Sequence, residues 1–284
     1  MTLVDAHQHY WQPDRGDYAW LAQAPAMLQR PFLPADLCHQ REAAGVQFAV
    51  LVQAAPSEDE TRYLFELARH DTAILGVIGW VDLAAEDVCT RIQSLLRDGN
   101  GLLRGLRPMT QDIADPDWLA RPALDRAFAC MLDHGLTLDA LVTMAQLPAL
   151  YRRLHRHPQL RVALNHAGKP PIAHGESVHW TRWINALAQQ PQLHCKLSGL
   201  LDLLAPRMHE QAIEPYVECL FECFGAQRLM WGSDWPVVTT HADYGHWLRL
   251  AQTLSERFAP GRQADVFGAN AARFYALDIA TALS

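Results

Sequence analysis

The chain has 284 residues, of which 50% are hydrophobic and 19% are charged, so it can bury a sizeable core and shows no signature of disorder. Its 24 basic residues are outnumbered by 31 acidic ones, and the net charge of -7 argues against nucleic acid as a partner. No apolar run approaches the ~20 residues of a membrane span, and Asp5 interrupts any signal-peptide pattern, so we expect a cytoplasmic protein without a membrane partner.

Short apolar runs alternate along the chain with longer segments of helical periodicity, a pattern typical of repeated βα units. The eight predicted strands are residues 3–6, 48–52, 74–81, 102–106, 136–141, 160–164, 193–197 and 228–231. The predicted helices are residues 61–69, 88–96, 122–133, 147–155, 181–188, 214–224 and 244–258, with a terminal helix at 267–274. Eight such units close a parallel barrel, so the predicted fold is α/β, a distorted (βα)8 TIM-type barrel that forms a single domain over residues 1–284.

The segment after the first predicted strand is long and contains several prolines. Residues 11–34 are interpreted as a long first βα loop with a lid or rim role. A dinucleotide-binding arrangement would place GxGxxG after the first strand, but this chain has His7, Gln8 and His9 there. The sequence therefore disfavours a two-domain nucleotide-binding enzyme.

Active sites of (βα)8 barrels lie at the carboxyl ends of the strands, which directs attention to polar residues at those positions. His7 and His9 follow the first strand, and their alternation places both imidazoles on one side of an extended segment. Together they can hold one metal ion or polarise one carbonyl group. A lone histidine in such a place would more often be a packing residue.

A third histidine, His166, stands at the end of the sixth strand beside Gly168, which permits a tight turn. Lys169 follows, either as a substrate contact or as an ordinary residue at the start of a helix. After the eighth strand, Asp234 lies between Trp231 and Trp235. An aspartate among indoles requires a metal ion, an imidazolium or a catalytic water to oppose its charge; otherwise it simply caps the next helix.

Residues at other strand ends are candidates for binding an oxygen-rich ligand. Arg107 after the fourth strand can clamp a carboxylate or ester oxygen, although a salt bridge on the barrel rim would use it equally well. Gln53 and Trp80 offer a hydrogen-bonding amide and a stacking face to a sugar-like ligand.

The donor inventory limits the site to one metal ion. A binuclear site would need a bridging Lys or Glu after the fourth strand and a His after the fifth, where this chain has Arg107 and Asp139. The metal ligands available are His7, His9, Asp234 and His166. We expect either no strictly required cofactor or one divalent ion, zinc being the first choice.

Several segments in chain order resemble one known family. They are Val4 to Trp11, Gly76 to Leu83, Asn165 to Pro170, Cys195 to Leu200 and Trp231 to Pro236. The set is similar to the amidohydrolase superfamily (amidohydrolase-related family 2), and within it to the sugar-acid lactonase branch that includes L-fuconolactonase. The resemblance implies a TIM barrel, lactone hydrolysis and a metal dependence that is variable or absent.

The expected function is a lactonase, a carboxylic ester hydrolase of carbohydrate metabolism that opens an L-fucono-1,4-lactone-like aldonolactone to the hydroxy acid. Asp234 would act as general base toward water, and His7, His9 and His166 would polarise the carbonyl. The expected substrate contacts are Trp11, Gln53, Trp80, Arg107, Lys169 and Trp235. The alternatives are a zinc-dependent decarboxylase of the same superfamily and a non-catalytic barrel that binds sugar acids; the oligomeric state stays open.

Overall fold

A computed structural model describes residues 1–175 and 177–282, and in it the predicted barrel is present. Its strands are β1 (Leu3–Gln8), β2 (Val46–Val52), β3 (Ile74–Gly79), β4 (Leu103–Leu106), β5 (Thr137–Ala140), β6 (Val162–Leu164), β7 (Leu193–Leu197) and β8 (Leu229–Trp231). Each strand pairs in parallel with the next, in the order β1 to β8. The α/β barrel prediction is therefore confirmed, and the predicted strand ends differ from these bounds by at most two residues.

The barrel closes just beyond the end of β8, where the chain runs beside β1. The Asp234 N–H donates to the His7 carbonyl at 2.8 Å, and the His9 N–H donates to the Trp235 carbonyl at 2.7 Å. Gly232 allows this approach, because a Cβ there would lie 2.6 Å from the Cβ of His7. Closure of the barrel therefore brings the aspartate of one end of the chain to the two histidines of the other.

Helices follow the strands and cover the outside of the barrel. Their bounds are α1 (Pro34–Ala43), α2 (Glu58–His70), α3 (Val88–Gly99), α4 (Asp125–Asp133), α5 (Leu147–Arg156), α6 (Val178–Ala188), α7 (Glu214–Phe224), α8 (Tyr244–Phe258), α9 (Asn270–Phe274) and α10 (Ile279–Ala282). Sequence analysis did not predict α1, because Leu37 is its one buried apolar residue and no apolar stripe marks the segment. The helix starts at Pro34, and the Asp36 carboxylate accepts the Leu33 N–H at 2.8 Å.

The core has two layers, as expected for a barrel. The larger cluster lies between the strands and the helices, and the smaller one fills the inner face of the sheet with side chains such as Val4, Val50 and Ile78. Phe274 and Tyr275, at the end of α9, pack against this inner cluster. No helix in residues 1–175 or 177–282 is long and apolar enough to cross a membrane.

The long first loop is folded back on itself. Trp11 and Phe32 pair as a short antiparallel bridge, which closes the loop on itself. The Trp11 indole N–H donates to the carbonyls of Leu28 and Arg30 at 3.2 and 3.0 Å. Backbone carbonyls of the loop therefore hold Trp11 in a fixed orientation.

Candidate active site

A cavity of about 280 Å³ opens at the carboxyl ends of the strands. Its polar lining comprises His9, Arg107, Gln111, Asp112, His166, Lys169, Asp202 and Asp234, and its apolar lining includes Trp11, Trp20, Met109, Leu141, Leu203 and Val237. Polar groups that converge against an apolar wall are typical of a site for a small polar ligand.

His7, in β1, and His9, just after it, meet at the tips of their rings, as the alternation in the sequence predicts. His7 Nε2 lies 3.1 Å from His9 Nε2. His9 Nδ1 lies 2.7 Å from the Val52 carbonyl, which only accepts, so His9 carries its proton on Nδ1 and a lone pair on Nε2. Burial lowers the pKa of both imidazoles well below the usual histidine range, and Lys196 and Arg107 lower it further for His7 and His9 respectively. His9 lines the cavity, whereas His7 is fully buried behind it.

Asp234 lies at the centre of the polar lining. Its Oδ1 is 3.2 Å from His9 Nε2 and 3.4 Å from His7 Nε2, and its Oδ2 is 3.8 Å from His166 Nδ1. Burial raises the pKa of Asp234 to about 6, against the opposing effect of His166. Near pH 7 Asp234 is therefore ionised, and the imidazoles it contacts are neutral because their own pKa values are lowered. Asp243, and not Asp234, caps the following helix α8, by accepting the His246 N–H at 2.7 Å.

A run of left-handed backbone places His166 at the cavity. Residues 166–169 all have positive φ, between 50° and 67°, and three of them are not glycine. Each such residue costs ~1–3 kcal/mol of strain, which accumulates mainly at functional sites. His166 Nδ1 lies 3.0 Å from the Ser198 hydroxyl, and burial lowers the His166 pKa to about 3. His166 is therefore a neutral group beside Asp234.

Arg107 lines the cavity as a buried cation. Its Nη2 donates to the backbone carbonyl and the side-chain Oε1 of Gln53, and Gln53 Nε2 donates to the Arg107 carbonyl at 2.8 Å. Burial lowers the pKa of Arg107, but a guanidinium remains charged at neutral pH. Gln53 is not among the described lining residues. Its hydrogen bonds orient Arg107, and a direct substrate contact stays a prediction for Gln53.

The predicted aromatic contacts have different positions in the fold. Trp11 lines the cavity, whereas Trp80 and Trp235 are not among the described lining residues. Trp235 packs against Tyr10 and Phe32, with ring centroids 5.8 and 5.3 Å away. A direct substrate contact thus stays a prediction for Trp80 and Trp235.

Trp20 is a lining residue that the sequence analysis did not select. Its indole N–H donates to the Ala54 carbonyl at 2.8 Å, and its ring lies edge-on to Trp11 at 5.2 Å. It belongs to the folded first loop, away from any strand end. A search for site residues directly after strands therefore does not find it. The first loop thus contributes two indoles to the cavity wall.

Two further polar groups complete the cavity. Lys169 lines it, and its Nζ donates to Gln111 Oε1; a substrate contact stays a prediction for Lys169. Asp202, which the sequence analysis missed, accepts from the Thr240 hydroxyl at 3.0 Å through Oδ1, while its Oδ2 is buried and has no partner in the described residues. The signal for Asp202 is weak because it lies in a short 3-10 turn four residues beyond Ser198.

The donor set of His7, His9 and Asp234 fits a divalent metal ion. Their facing atoms are separated by 3.1, 3.2 and 3.4 Å. Two ligands of a tetrahedral zinc ion with bonds of ~2.0–2.1 Å lie roughly 3.3 Å apart, which matches these separations. His166 lies outside this three-residue group. Three protein ligands would leave the fourth position open, as in catalytic zinc sites.

Comparison with known proteins identifies related chains over nearly the whole length. The family model described as "Amidohydrolase" matches residues 4–277. An L-fucono-1,5-lactonase from Burkholderia ambifaria is 45% identical over 97% of this chain and 96% of its own, and one from Burkholderia multivorans is 34% identical over 96% of each. A crystal structure of an amidohydrolase from Burkholderia multivorans with bound zinc has a TM-score of 0.91 at 32% identity, covering 98% of this chain and 100% of the other.

Proposed function

Because the chain belongs to the amidohydrolase family, we propose that it is a lactonase that opens the lactone of a six-carbon sugar acid to the hydroxy acid. The relatives at 45% and 34% identity, both named L-fucono-1,5-lactonase, support this reaction. The ring named there is the six-membered 1,5 form rather than the 1,4 form expected from the sequence. We therefore take L-fucono-1,5-lactone as the first substrate to test.

The position of Asp234 is the observation that carries the proposal. A carboxylate whose pKa is raised to about 6 is ionised at neutral pH and is a stronger base than an ordinary aspartate. It lies 3.2 Å from His9 and lines the cavity that would receive the ring. Such a group is suited to take a proton from a water molecule that attacks an ester carbonyl.

Asp234 and Arg107 account for every proton transfer and developing charge in the hydrolysis. Asp234 accepts one proton of the attacking water as the new bond forms between the water oxygen and the carbonyl carbon. The carbonyl oxygen then carries a negative charge, which the Arg107 guanidinium, held by Gln53, is placed to stabilise beside the neutral His166. The bond from this carbon to the ring oxygen breaks, and protonated Asp234 returns its proton to that oxygen.

A divalent ion fits the site but is not needed to balance these steps. His7, His9 and Asp234 would hold it, and when bound it would polarise the lactone carbonyl as a Lewis acid. We propose zinc as the ion, with occupancy that is optional for turnover. The strained ester, the buried Arg107 cation and the general base supply catalysis without it.

The cavity walls suit a sugar acid with an apolar edge. Trp11 and Trp20 present ring faces or edges to the apolar side of a sugar. On the polar side, Asp202 has a carboxylate oxygen without a partner in residues 1–175 and 177–282, and Lys169 has an ammonium group; both can bind ring hydroxyls. These residues, with Arg107, form the proposed substrate-binding set.

The test is a panel of aldonolactones assayed by acid release from the purified protein. We expect hydrolysis well above the spontaneous rate for L-fucono-1,5-lactone and for lactones that share its hydroxyl configuration. Binding of the lactones without any acid release would indicate a non-catalytic barrel. Release of carbon dioxide from an aromatic acid, with no lactone hydrolysis, would indicate the decarboxylase alternative.

The rate should depend on pH through Asp234. The base works only when ionised, so kcat/KM should fall as pH drops below about 6 and stay level above it. Because kcat/KM reports on the free enzyme, the acidic limb of this profile gives the pKa of the Asp234 carboxylate before substrate binds. After subtraction of spontaneous hydrolysis, a flat profile from about pH 4 to about pH 8 would contradict the assignment.

Chelation should leave most of the lactonase activity in place. We expect this because Asp234 accepts and returns the proton, and Arg107 supplies a permanent positive charge beside the carbonyl, so no step requires the ion. The measurement is activity against metal content, before and after exhaustive chelation and after readdition of zinc. Loss and recovery in proportion to one ion per chain would make the ion the principal electrophile and contradict an optional metal.

A further inference from the structure

Lys196 and Asp139 form an ion pair in the barrel interior that the mechanism above does not use. Both side chains are fully buried, and Lys196 Nζ lies 2.5 Å from Asp139 Oδ2. Asp139 also accepts from the Tyr275 hydroxyl at 2.9 Å and from Asn165 Nδ2 at 3.1 Å. Burial lowers the pKa of Lys196, and the charge and hydrogen bond of Asp139 oppose this effect. Because three donors compensate the Asp139 carboxylate, it can hold the lysine as a charged ammonium group.

The same ammonium group reaches the histidine behind the cavity. Lys196 Nζ lies 3.2 Å from His7 Nδ1. An ammonium group has only donors, so His7 Nδ1 must accept this hydrogen bond. A neutral imidazole has one N–H, which then lies on Nε2. The guanidinium Nη1 of Arg107, 3.4 Å from His7 Nε2, is a second cation that disfavours a doubly protonated ring, and as a donor it also competes with a proton on Nε2.

The neighbour on the other side matches this assignment. His9 donates through Nδ1 to the Val52 carbonyl at 2.7 Å and therefore has a lone pair on Nε2. His9 Nε2, which carries this lone pair, lies 3.1 Å from His7 Nε2. Asp234 Oδ1 is a second acceptor and lies 3.4 Å from His7 Nε2. A proton on His7 Nε2 thus has two acceptors, at 3.1 and 3.4 Å, against the single donor Arg107 Nη1 at 3.4 Å. A proton on Nδ1 would face the Lys196 ammonium group at 3.2 Å.

We propose that Lys196, held by Asp139, is a positioning residue that fixes the proton of His7 on Nε2 and thereby opposes metal binding through that atom. A metal ligand at Nε2 needs a lone pair there and a proton on Nδ1. Histidines that bind metals usually donate this second N–H to a carboxylate or a carbonyl, and such partners change metal affinity by 10–100-fold. Here the partner is a cation. The inference concerns protonation and metal affinity, and it holds whichever ester the site hydrolyses.

The first test reads the tautomer directly in the wild-type protein. Long-range proton–nitrogen correlation spectra of ring-labelled histidine distinguish a proton on Nδ1 from one on Nε2, and loss of a signal in a His7→Asn variant assigns it. We expect the Nε2–H pattern for His7 in metal-free protein and the Nδ1–H pattern for His9. An Nδ1–H pattern for His7 would overturn the proposal, and this readout requires no variant at Lys196 to fold.

The second test measures zinc affinity by competition with a chromophoric chelator. Lys196→Gln is compared with Lys196→Met, each combined with Asp139→Asn so that no charge is left alone in the interior. Both pairs remove the ammonium group, but only the glutamine oxygen can accept a proton from His7 Nδ1. We expect the glutamine pair to bind zinc about 10–100-fold more tightly than wild type, and more tightly than the methionine pair.

The outcomes separate a tautomer effect from a charge effect. Equal zinc affinity in the glutamine and methionine pairs would mean that loss of charge alone is responsible, and it would overturn the tautomer assignment. Zinc affinity within about twofold of wild type in both pairs would also overturn the proposal, being far below the 10–100-fold expected. Failure of the lactone assay would leave these results unchanged, because neither readout uses turnover.

Discussion

Replacing Asp234 with asparagine should lower kcat by at least about 100-fold, because general-base catalysis contributes a factor of roughly 10²–10⁴ and an amide cannot accept the proton of water. The loss corresponds to at least about 2.7 kcal/mol of transition-state stabilisation. Asparagine has nearly the same shape, and its side-chain amide can occupy the same place, 3.2 Å from His9 Nε2. Substrate affinity and Tm should therefore change little.

Asp202→Asn is the matched control, since it removes the same charge from the same cavity. Asp202 contacts Thr240 and His241 rather than the imidazoles around Asp234, so it should affect KM more than kcat. We expect kcat within about tenfold of wild type, a loss below the usual contribution of a general base. An Asp234→Asn variant with near-normal kcat, or equal losses in both variants, would remove Asp234 from the role of base.

Replacing Gly199 with alanine should also lower kcat by about 100-fold, although no reacting group is removed. A Cβ at this position would lie 2.5 Å from His166 Nδ1 and 3.2 Å from Asp234 Oδ2. The His166 ring, already 3.0 Å from the Ser198 hydroxyl, must move away from its place beside Asp234. A displacement of ~1 Å in a catalytic group can cost this factor.

Gly135→Ala separates the displacement from backbone strain. Gly135 has φ of 66°, close to the 61° of Gly199, but apart from its chain neighbours no atom of the described residues lies within 4 Å of its Cβ position. Both alanines should cost ~1–2 kcal/mol of stability in left-handed backbone. Only Gly199→Ala should lose activity. Similar kcat values for the two variants would show that the contact with His166 is unimportant.

Residues directly at strand ends were the most predictable part of the site. His7, His9, His166 and Asp234 were found because barrel topology brings the carboxyl ends of all strands together, whatever their distance along the chain. The hydrogen bond from the Asp234 N–H to the His7 carbonyl closes the barrel and brings these two residues together. The fold was predictable for the same reason, since alternating apolar runs mark the strands and helices.

Residues whose roles depend on three-dimensional contacts were not predictable in this way. Trp20 and Asp202 reach the cavity from turns, where no periodicity indicates direction. Gln53 stands at a strand end as expected, yet it binds Arg107, because a buried guanidinium requires acceptors that the sequence does not pair with it. In the sequence, Lys196 is a single charged residue in an apolar strand. Its role becomes visible from its contacts with Asp139 and His7 in the fold.

Single-turnover hydrolysis in ¹⁸O-labelled water, with enzyme in excess over L-fucono-1,5-lactone, tests the central claim most directly. If Asp234 acts as a base toward water, the first product molecules carry one ¹⁸O atom in the carboxylate and an unlabelled hydroxyl from the ring oxygen. Spontaneous hydrolysis is subtracted with a parallel sample of Asp234→Asn protein. Unlabelled product together with ¹⁸O in the Asp234 side chain would show that Asp234 attacks the lactone itself, and would contradict its role as the general base.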